Sequence, residues 1–186
     1  MIRSSMKISR EEFDRLALEH IDLLYRIARR LIRSAAGAED LVQDTYLRAY
    51  RAREEFDLQE YGIRPWLVRI MHNLHVSQSQ RERRQPKTIE EQHLDAASNR
   101  AAGAPLSIDP ASFEGMDEQL VRAIQELPEE YQTVLLLWAI EDFAYKEIAT
   151  ALDVPIGTVM SRLHRARMKL SERLGDFARR ERIIRE

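Results

Sequence analysis

The 186-residue chain is 44% hydrophobic and 32% charged, with only six Gly and six Pro, a balance that suits packed helical cores in one large domain or two small ones. It has no cysteine, which excludes disulfides, thiolate metal sites and thiol redox sensing within the chain. The net charge of −2 identifies no partner, but its distribution is uneven: nine Lys or Arg accompany four Asp or Glu from Pro155 onward, against two and five from Pro86 to Gly115. Local basic charge of this kind suits discrete nucleic-acid-facing surfaces. The N-terminus carries Arg3, Lys7 and Arg10 without a following apolar run, so no signal peptide is evident. The longest apolar run, Val134 to Ile140, falls far short of the roughly 20 residues of a membrane span. The sequence reads as soluble and cytoplasmic.

The spacing of Phe13, Leu16, Leu24, Ile27 and Leu31 predicts a helix over Glu11 to Arg33. Ser9 and Glu12 resemble a capping box at its start. Ser34 to Gly37 is a small-residue break. A second helix spans Ala38 to Arg53, with Leu41, Val42, Thr45, Tyr46 and Ala49 on one side. Phe56 to Ile63 is a loop. Pro65 then opens a third helix that runs to about Arg83, with Trp66, Leu67, Ile70, Met71 and Leu74 on its apolar face. Lys87 to Gly115 shows little periodicity and reads as a flexible linker, although a short helix over Ile89 to Ala97 fits it. A second block begins near Met116. Leu120, Val121, Ile124 and Leu127 mark one helix there. Gln132 to Ile140, apolar nearly all round, marks a buried one. Tyr145 to Leu152 and Ile156 to Leu174 complete the block. The expected fold class is therefore all-α: two small helical domains, residues 8–85 and 116–180, joined by a flexible linker, residues 86–115.

The segment Tyr145 to Leu170 has helix-turn-helix spacing. Ala149 falls where the two helices touch. Ile148, Leu152, Val154, Val159 and Leu163 are spaced to share a core, and Asp153 occupies the turn. Gly is commoner at that turn, but Asp tolerates the left-handed conformation better than most residues. The second helix presents Thr158, Ser161, Arg162, His164, Arg165, Arg167 and Lys169 on its remaining faces, residue types that bond phosphates and base edges. An ordinary helical hairpin with a solvated basic face has the same spacing.

The stretch from Leu127 to Leu170, with the core Tyr145-Lys-Glu-Ile-Ala-Thr-Ala-Leu-Asp-Val-Pro-Ile-Gly-Thr-Val-Met-Ser-Arg-Leu-His-Arg-Ala-Arg167, resembles region 4 of bacterial sigma factors, especially the extracytoplasmic-function (ECF) group. The N-terminal block resembles region 2 of the same family. Ala38-Glu-Asp-Leu-Val-Gln-Asp-Thr-Tyr-Leu-Arg-Ala-Tyr50 is similar to its polymerase-docking segment, and Pro65-Trp-Leu-Val-Arg-Ile-Met-His-Asn-Leu74 to the segment that recognises and opens the −10 element.

The resemblance implies a transcription initiation factor with no catalytic site and no cofactor or metal. Its partners would be core RNA polymerase (the β′ clamp and β flap), promoter DNA and an anti-sigma factor. Asp40, Gln43 and Asp44 share a helix face, and with Leu41 they match the clamp-binding segment. Asn73 matches a position near the pocket for a flipped −10 base. Tyr61, in the preceding loop, suits base stacking and loop anchoring equally. Arg69, Arg81 and Arg84 are placed to hold −10 phosphates. Trp66 suits core packing better than stacking. Thr158, Ser161, Arg162, His164, Arg165 and Arg167 are implied for the −35 element, where Met160 replaces an Arg found in some family members. His75, Ser77 and Ser79 depart from the usual charge pattern after Asn73. The acidic linker residues suit either mimicry of nucleic acid in a basic channel or plain solubility. A helix-turn-helix operator-binding regulator is the alternative reading, and the Asp40 to Asp44 segment argues against it.

Overall fold

The computed structural model describes residues 8–56, 62–84 and 117–180. Among these residues every regular element is helical: α1 (Arg10–Leu18), α2 (Ile21–Leu31), α3 (Ala35–Arg51), a single 3-10 turn at Arg53–Glu55, α4 (Arg64–Arg84), α5 (Glu118–Gln125), α6 (Glu129–Ala139), α7 (Tyr145–Leu152) and α8 (Ile156–Arg180). None of them is long and apolar enough to cross a membrane. Tyr61, the 86–115 linker and the short helix over Ile89 to Ala97 lie outside the described residues.

The helix expected over Glu11 to Arg33 is two helices. In an unbroken helix the Ala17 carbonyl would accept from the N–H of Ile21. Here it accepts from the Tyr46 hydroxyl at 2.7 Å and from the His20 N–H at 3.2 Å. A bond from α3 thus diverts the carbonyl and ends α1. The hydrophobic period runs on in phase across the break, so sequence periodicity does not register it. The expected cap at Ser9 accepts from the Glu12 N–H; Ser34, within the expected break, instead caps α3 by accepting from Gly37, and Asp117 accepts from Gln119 and Leu120, each satisfying donors left open at a helix start.

In the N-terminal block, α4 packs against α3 and α2. Its centre is an aromatic cluster. Phe13 meets Tyr50, Phe56 and Trp66 edge-on at 5.8, 5.8 and 5.9 Å between ring centres. Trp66 is therefore held in the core beside Phe56, 4.9 Å away. In the C-terminal block, α8 runs across α5, α6 and α7.

The two blocks do not stand apart. α4 also packs on α7, and a single continuous core joins Leu24, Ile27, Leu67 and Met71 to Leu137, Phe143, Ile148 and Leu163. A helix advances about 100° per residue. On that wheel Ile63, Leu67, Ile70 and Leu74 form one side of α4, while Arg64, Val68, Met71 and His75 form an adjacent one. Arg69 and Asn73 fall on the side left over, and both are half-buried.

Candidate nucleic-acid and partner interfaces

The first candidate surface is on α3. Ala38, Leu41, Val42, Thr45 and Ala49 turn inward, and Glu39, Asp40, Gln43, Asp44 and Leu47 turn outward. Leu41 is 1% exposed, so its place in the polymerase-facing set is corrected: it belongs to the core, one helix face away from Asp40 and Asp44. Sequence reasoning missed what lies beside the acidic residues. Between α2 and α3 runs an apolar groove of about 530 Å³, whose walls include Ile21, Tyr25, Leu47, Tyr46 and Tyr50, with Asp22 and Glu39 at its rim. Ile21, Tyr25 and Leu47 are exposed large hydrophobics, and α2 had been read only as core. Tyr46 forms part of the groove and is locked by its bond to Ala17. Burial, with Tyr50 and Asp22 nearby, pushes its hydroxyl up to about 12, so it stays a neutral donor.

The second surface is on α4. Arg69 and Asn73 sit, half-buried, on the side of α4 that the two faces named above leave over. The His72 Nδ1 approaches the Asn73 Oδ1 at 3.4 Å, at the long limit for a hydrogen bond. His72 and His75 themselves are buried, at 1% and 8% exposure. Burial, and then the neighbouring His72, lowers the pKa of His75, which favours the neutral ring. Arg81 and Arg84 lie on the final turn of α4, whose side chains are outside the described residues.

The third surface is the helix-turn-helix, and its expected core is present. Ile148, Leu152, Val159 and Leu163 are at most 1% exposed. Asp153 is left-handed, with φ 53° and ψ 50°, and Val154 closes the turn onto the Ala149 carbonyl at 3.0 Å. Glu147 accepts from the Ala144 N–H at 2.8 Å and holds the start of α7. On α8, Ser161, His164 and Arg165 are exposed and Thr158 is half-buried. Ser161 Oγ donates to the Thr158 carbonyl at 3.0 Å, leaving its lone pairs free to accept.

Two expected −35 residues, Arg162 and Arg167, have partners within the chain. Arg162 points back toward α6, where Glu130 lies at 3.4 Å, and its side chain is 15% exposed. It fastens α8 to α6 because it sits one position before buried Leu163, on the side of the helix turned to the domain. Arg167 lies over the Trp138 ring at 4.2 Å and donates to the Tyr145 hydroxyl at 2.9 Å. That cation–π contact ties α8 to α6 and α7. Its guanidinium is directed by these partners rather than by the face that carries His164 and Arg165.

Where the blocks meet, the sequence had singled out no residue. Glu141 is 1% exposed at its side chain and is reached by Arg26 at 3.1 Å and Arg30 at 3.4 Å. The Arg30 contact is close enough for an ion pair but not aligned as a hydrogen bond. Arg64 lies over the Phe143 ring at 4.1 Å and bonds both Glu147 oxygens, with Nε to Oε1 at 3.0 Å. Asp142, left-handed at φ 53°, turns the chain between these contacts and offers its carbonyl to Arg64 at 3.2 Å. His20 stands nearby. Burial, and then the positive charge of Arg64, lowers its pKa against smaller opposing effects of Glu19 and Glu147.

A sequence model of Sigma-70 region 2 matches residues 16–85, and one of Sigma-70 region 4 matches residues 117–170. The ECF RNA polymerase sigma factor SigE of Mycolicibacterium smegmatis is 34% identical over 87% of the chain, which spans 61% of that relative. SigW of Bacillus subtilis, also an ECF RNA polymerase sigma factor, is 28% identical over 84% of the chain and 85% of the relative. The ECF RNA polymerase sigma-E factor of Escherichia coli is 30% identical over 76% of the chain and 75% of its own length. Among solved structures, the sigma factor RpoE in complex with the anti-sigma factor NepR from Bartonella quintana aligns with a TM-score of 0.60 at 26% identity, covering 89% of this chain and 98% of that one. CnrH, solved with the cytosolic domain of CnrY, shares the fold at a TM-score of 0.56, 22% identity and 90% coverage of each chain.

Proposed function

Because the chain belongs to the extracytoplasmic-function group of the sigma-70 family, we propose that it binds core RNA polymerase in the cytoplasm and directs promoter-specific initiation. The observation that carries this reading is the pairing of two family-matched blocks in order, each turning an unspent polar surface outward. The chemistry of each surface supports a separate role.

Asp40, Gln43 and Asp44 line an acidic face beside the apolar groove of Ile21, Tyr25 and Leu47. An apolar centre with a charged rim is the composition of a protein interface, and acidic charge fits a basic helix of the polymerase clamp. Arg69 and Asn73 supply a cation and an amide to the opened −10 strand, since an unstacked base exposes edges that an amide can bond. Thr158, Ser161, His164 and Arg165, at the N-terminal half of α8, face −35 duplex DNA. An anti-sigma factor is the expected partner for the same two blocks, as one is bound to RpoE of Bartonella quintana.

Run-off transcription with core polymerase and promoter libraries tests the proposal: a promoter-specific transcript is expected, and none from any library overturns it. Two substitutions separate the roles. Asp44→Arg reverses charge on the acidic face beside the groove and is expected to weaken core binding about tenfold or more, since like-charge juxtaposition across an interface is costly. Arg165→Ala is expected to leave core binding intact and lower −35-dependent initiation about five- to tenfold, the scale of one lost DNA contact. Titration of labelled core measures the first and transcription from promoters with and without the −35 element the second. The operator-binding alternative predicts a footprint on DNA without polymerase.

A further inference from the structure

Among the described residues, seven large hydrophobic side chains stand exposed. Leu18, Ile21, Tyr25 and Leu47 gather around α1 to α3, where the docking groove accounts for most of them. Ile156, Met160 and Met168 lie on α8, and the polar contacts assigned above do not use them. Ile156 is 41% exposed and Met160 is 53% exposed. Four residues apart, they stand one above the other on the first turns of α8. Val159, Leu163 and Ala166, on the adjacent stripe of the helix, are buried, while about half of the Ile156 and Met160 side chains is left uncovered. Gly157, between them in sequence, adds no side chain, and nothing lies within 4 Å of where its Cβ would stand. The start of α8 thus presents two partly exposed apolar side chains with an open Gly157 beside them.

The surroundings indicate what meets these side chains. Ser161, His164 and Arg165 are exposed next to Met160. A cationic and hydroxyl border suits a phosphate-lined groove better than an apolar protein pocket. Within the major groove nearly every base edge is a donor or acceptor, and pressing a thioether or an alkyl branch on one would strip it of water without replacing the bond. The exception is the C5 methyl of thymine, which answers an apolar side chain.

We propose that Ile156 and Met160 are specificity-determining residues that read thymine C5 methyl groups in the −35 duplex. The element would then require a thymine, on one strand or the other, at one or two base pairs under the first two turns of α8. This rests on the initiation-factor reading above and deepens it.

The test removes only the methyl. Each thymine of an active −35 element is replaced in turn by deoxyuridine, which keeps pairing and groove polarity. Run-off transcription is then measured with the full chain and core polymerase. One or two positions should show a drop of about threefold to fivefold, the scale of burying one methyl-sized group, ~0.8 kcal/mol. With Met160→Ala the drop at one of those positions should vanish, while Met160→Leu should keep it. The proposal is overturned if all uracil templates match the thymine template, or if Met160→Ala retains the full penalty at every position. It is also overturned if Met160→Ala changes only binding of a protein partner. No transcript from the unmodified promoter would instead sink the initiation-factor reading itself.

Discussion

Glu141→Lys is expected to separate the two halves of the free chain. Its carboxylate is sealed from solvent at 1% exposure between Arg26 and Arg30, which come from the other block. Breaking a buried pair costs about 3–5 kcal/mol because the remaining charge is left uncompensated. Arg26 is 56% exposed, so its share is screened and the expected cost falls to about 2–3 kcal/mol. Lysine adds repulsion from both arginines, and solvation offers the cheaper arrangement. Small-angle scattering should show a compact wild type and a larger, more extended variant, together with a lower melting temperature. A simple local loss in the turn between α6 and α7 would also lower the melting temperature. The charge-swapped pair Arg26→Glu with Glu141→Lys separates the two explanations. It should recover part of the compactness, and no recovery, or an unchanged scattering radius in Glu141→Lys alone, contradicts the account.

The same contact has a consequence for α4. α4 packs on α7, with Arg64 bonded to Glu147 and lying over Phe143 in the turn before α7, while Arg69 and Asn73 fall on another side of α4 and are half-buried. A partner that needs the side packed on α7 must displace α7 and compete with the Arg64–Glu147 bonds. Glu141→Lys lowers that barrier without touching a residue assigned to DNA.

What was legible in the sequence was mostly local. The left-handed turn at Asp153 and the core of Ile148, Leu152, Val159 and Leu163 follow from spacing over some twenty residues, and the structure reproduces them. The helix cap at Ser9 is local as well. Bonds made at a distance were not legible. The break between α1 and α2 depends on Tyr46 reaching Ala17 from another helix. Arg162 and Arg167 have the composition of DNA contacts, but Glu130, Trp138 and Tyr145 engage them from neighbouring helices. The junction pairs Arg26 with Glu141, residues whose separation in sequence leaves no periodic trace. Leu41 misled for another reason. Its neighbours Asp40 and Gln43 do face outward, and a motif read as a string does not separate the two faces of one helix.

Phe13→Ala should be the most destabilising single truncation in the N-terminal block. Phe13 is 2% exposed and touches three rings at once, those of Tyr50, Phe56 and Trp66. Removing a buried phenyl costs about 3–5 kcal/mol, partly for lost transfer energy and partly for the cavity left behind. Edge-to-face pairs add roughly 0.5–1.5 kcal/mol each when made, so the upper part of that range applies. For a chain of this size each kcal/mol corresponds to about 2–4 °C, which places the expected fall in melting temperature near 10–15 °C. The ring also fixes the entry to α4, because Phe56 and Trp66 flank the loop that precedes that helix. Loss of the ring should therefore loosen the orientation of Arg69 and Asn73 and weaken −10-dependent initiation at temperatures where the chain is still folded. Phe13→Leu keeps most of the volume and should lose less than half as much stability. Because the core runs unbroken from Phe13 through α4 to Ile148 and Leu163, the variant should still melt in one transition. Two well-separated transitions, or a fall of only a degree or two, would show that the aromatic cluster does not hold α4 against the rest of the molecule.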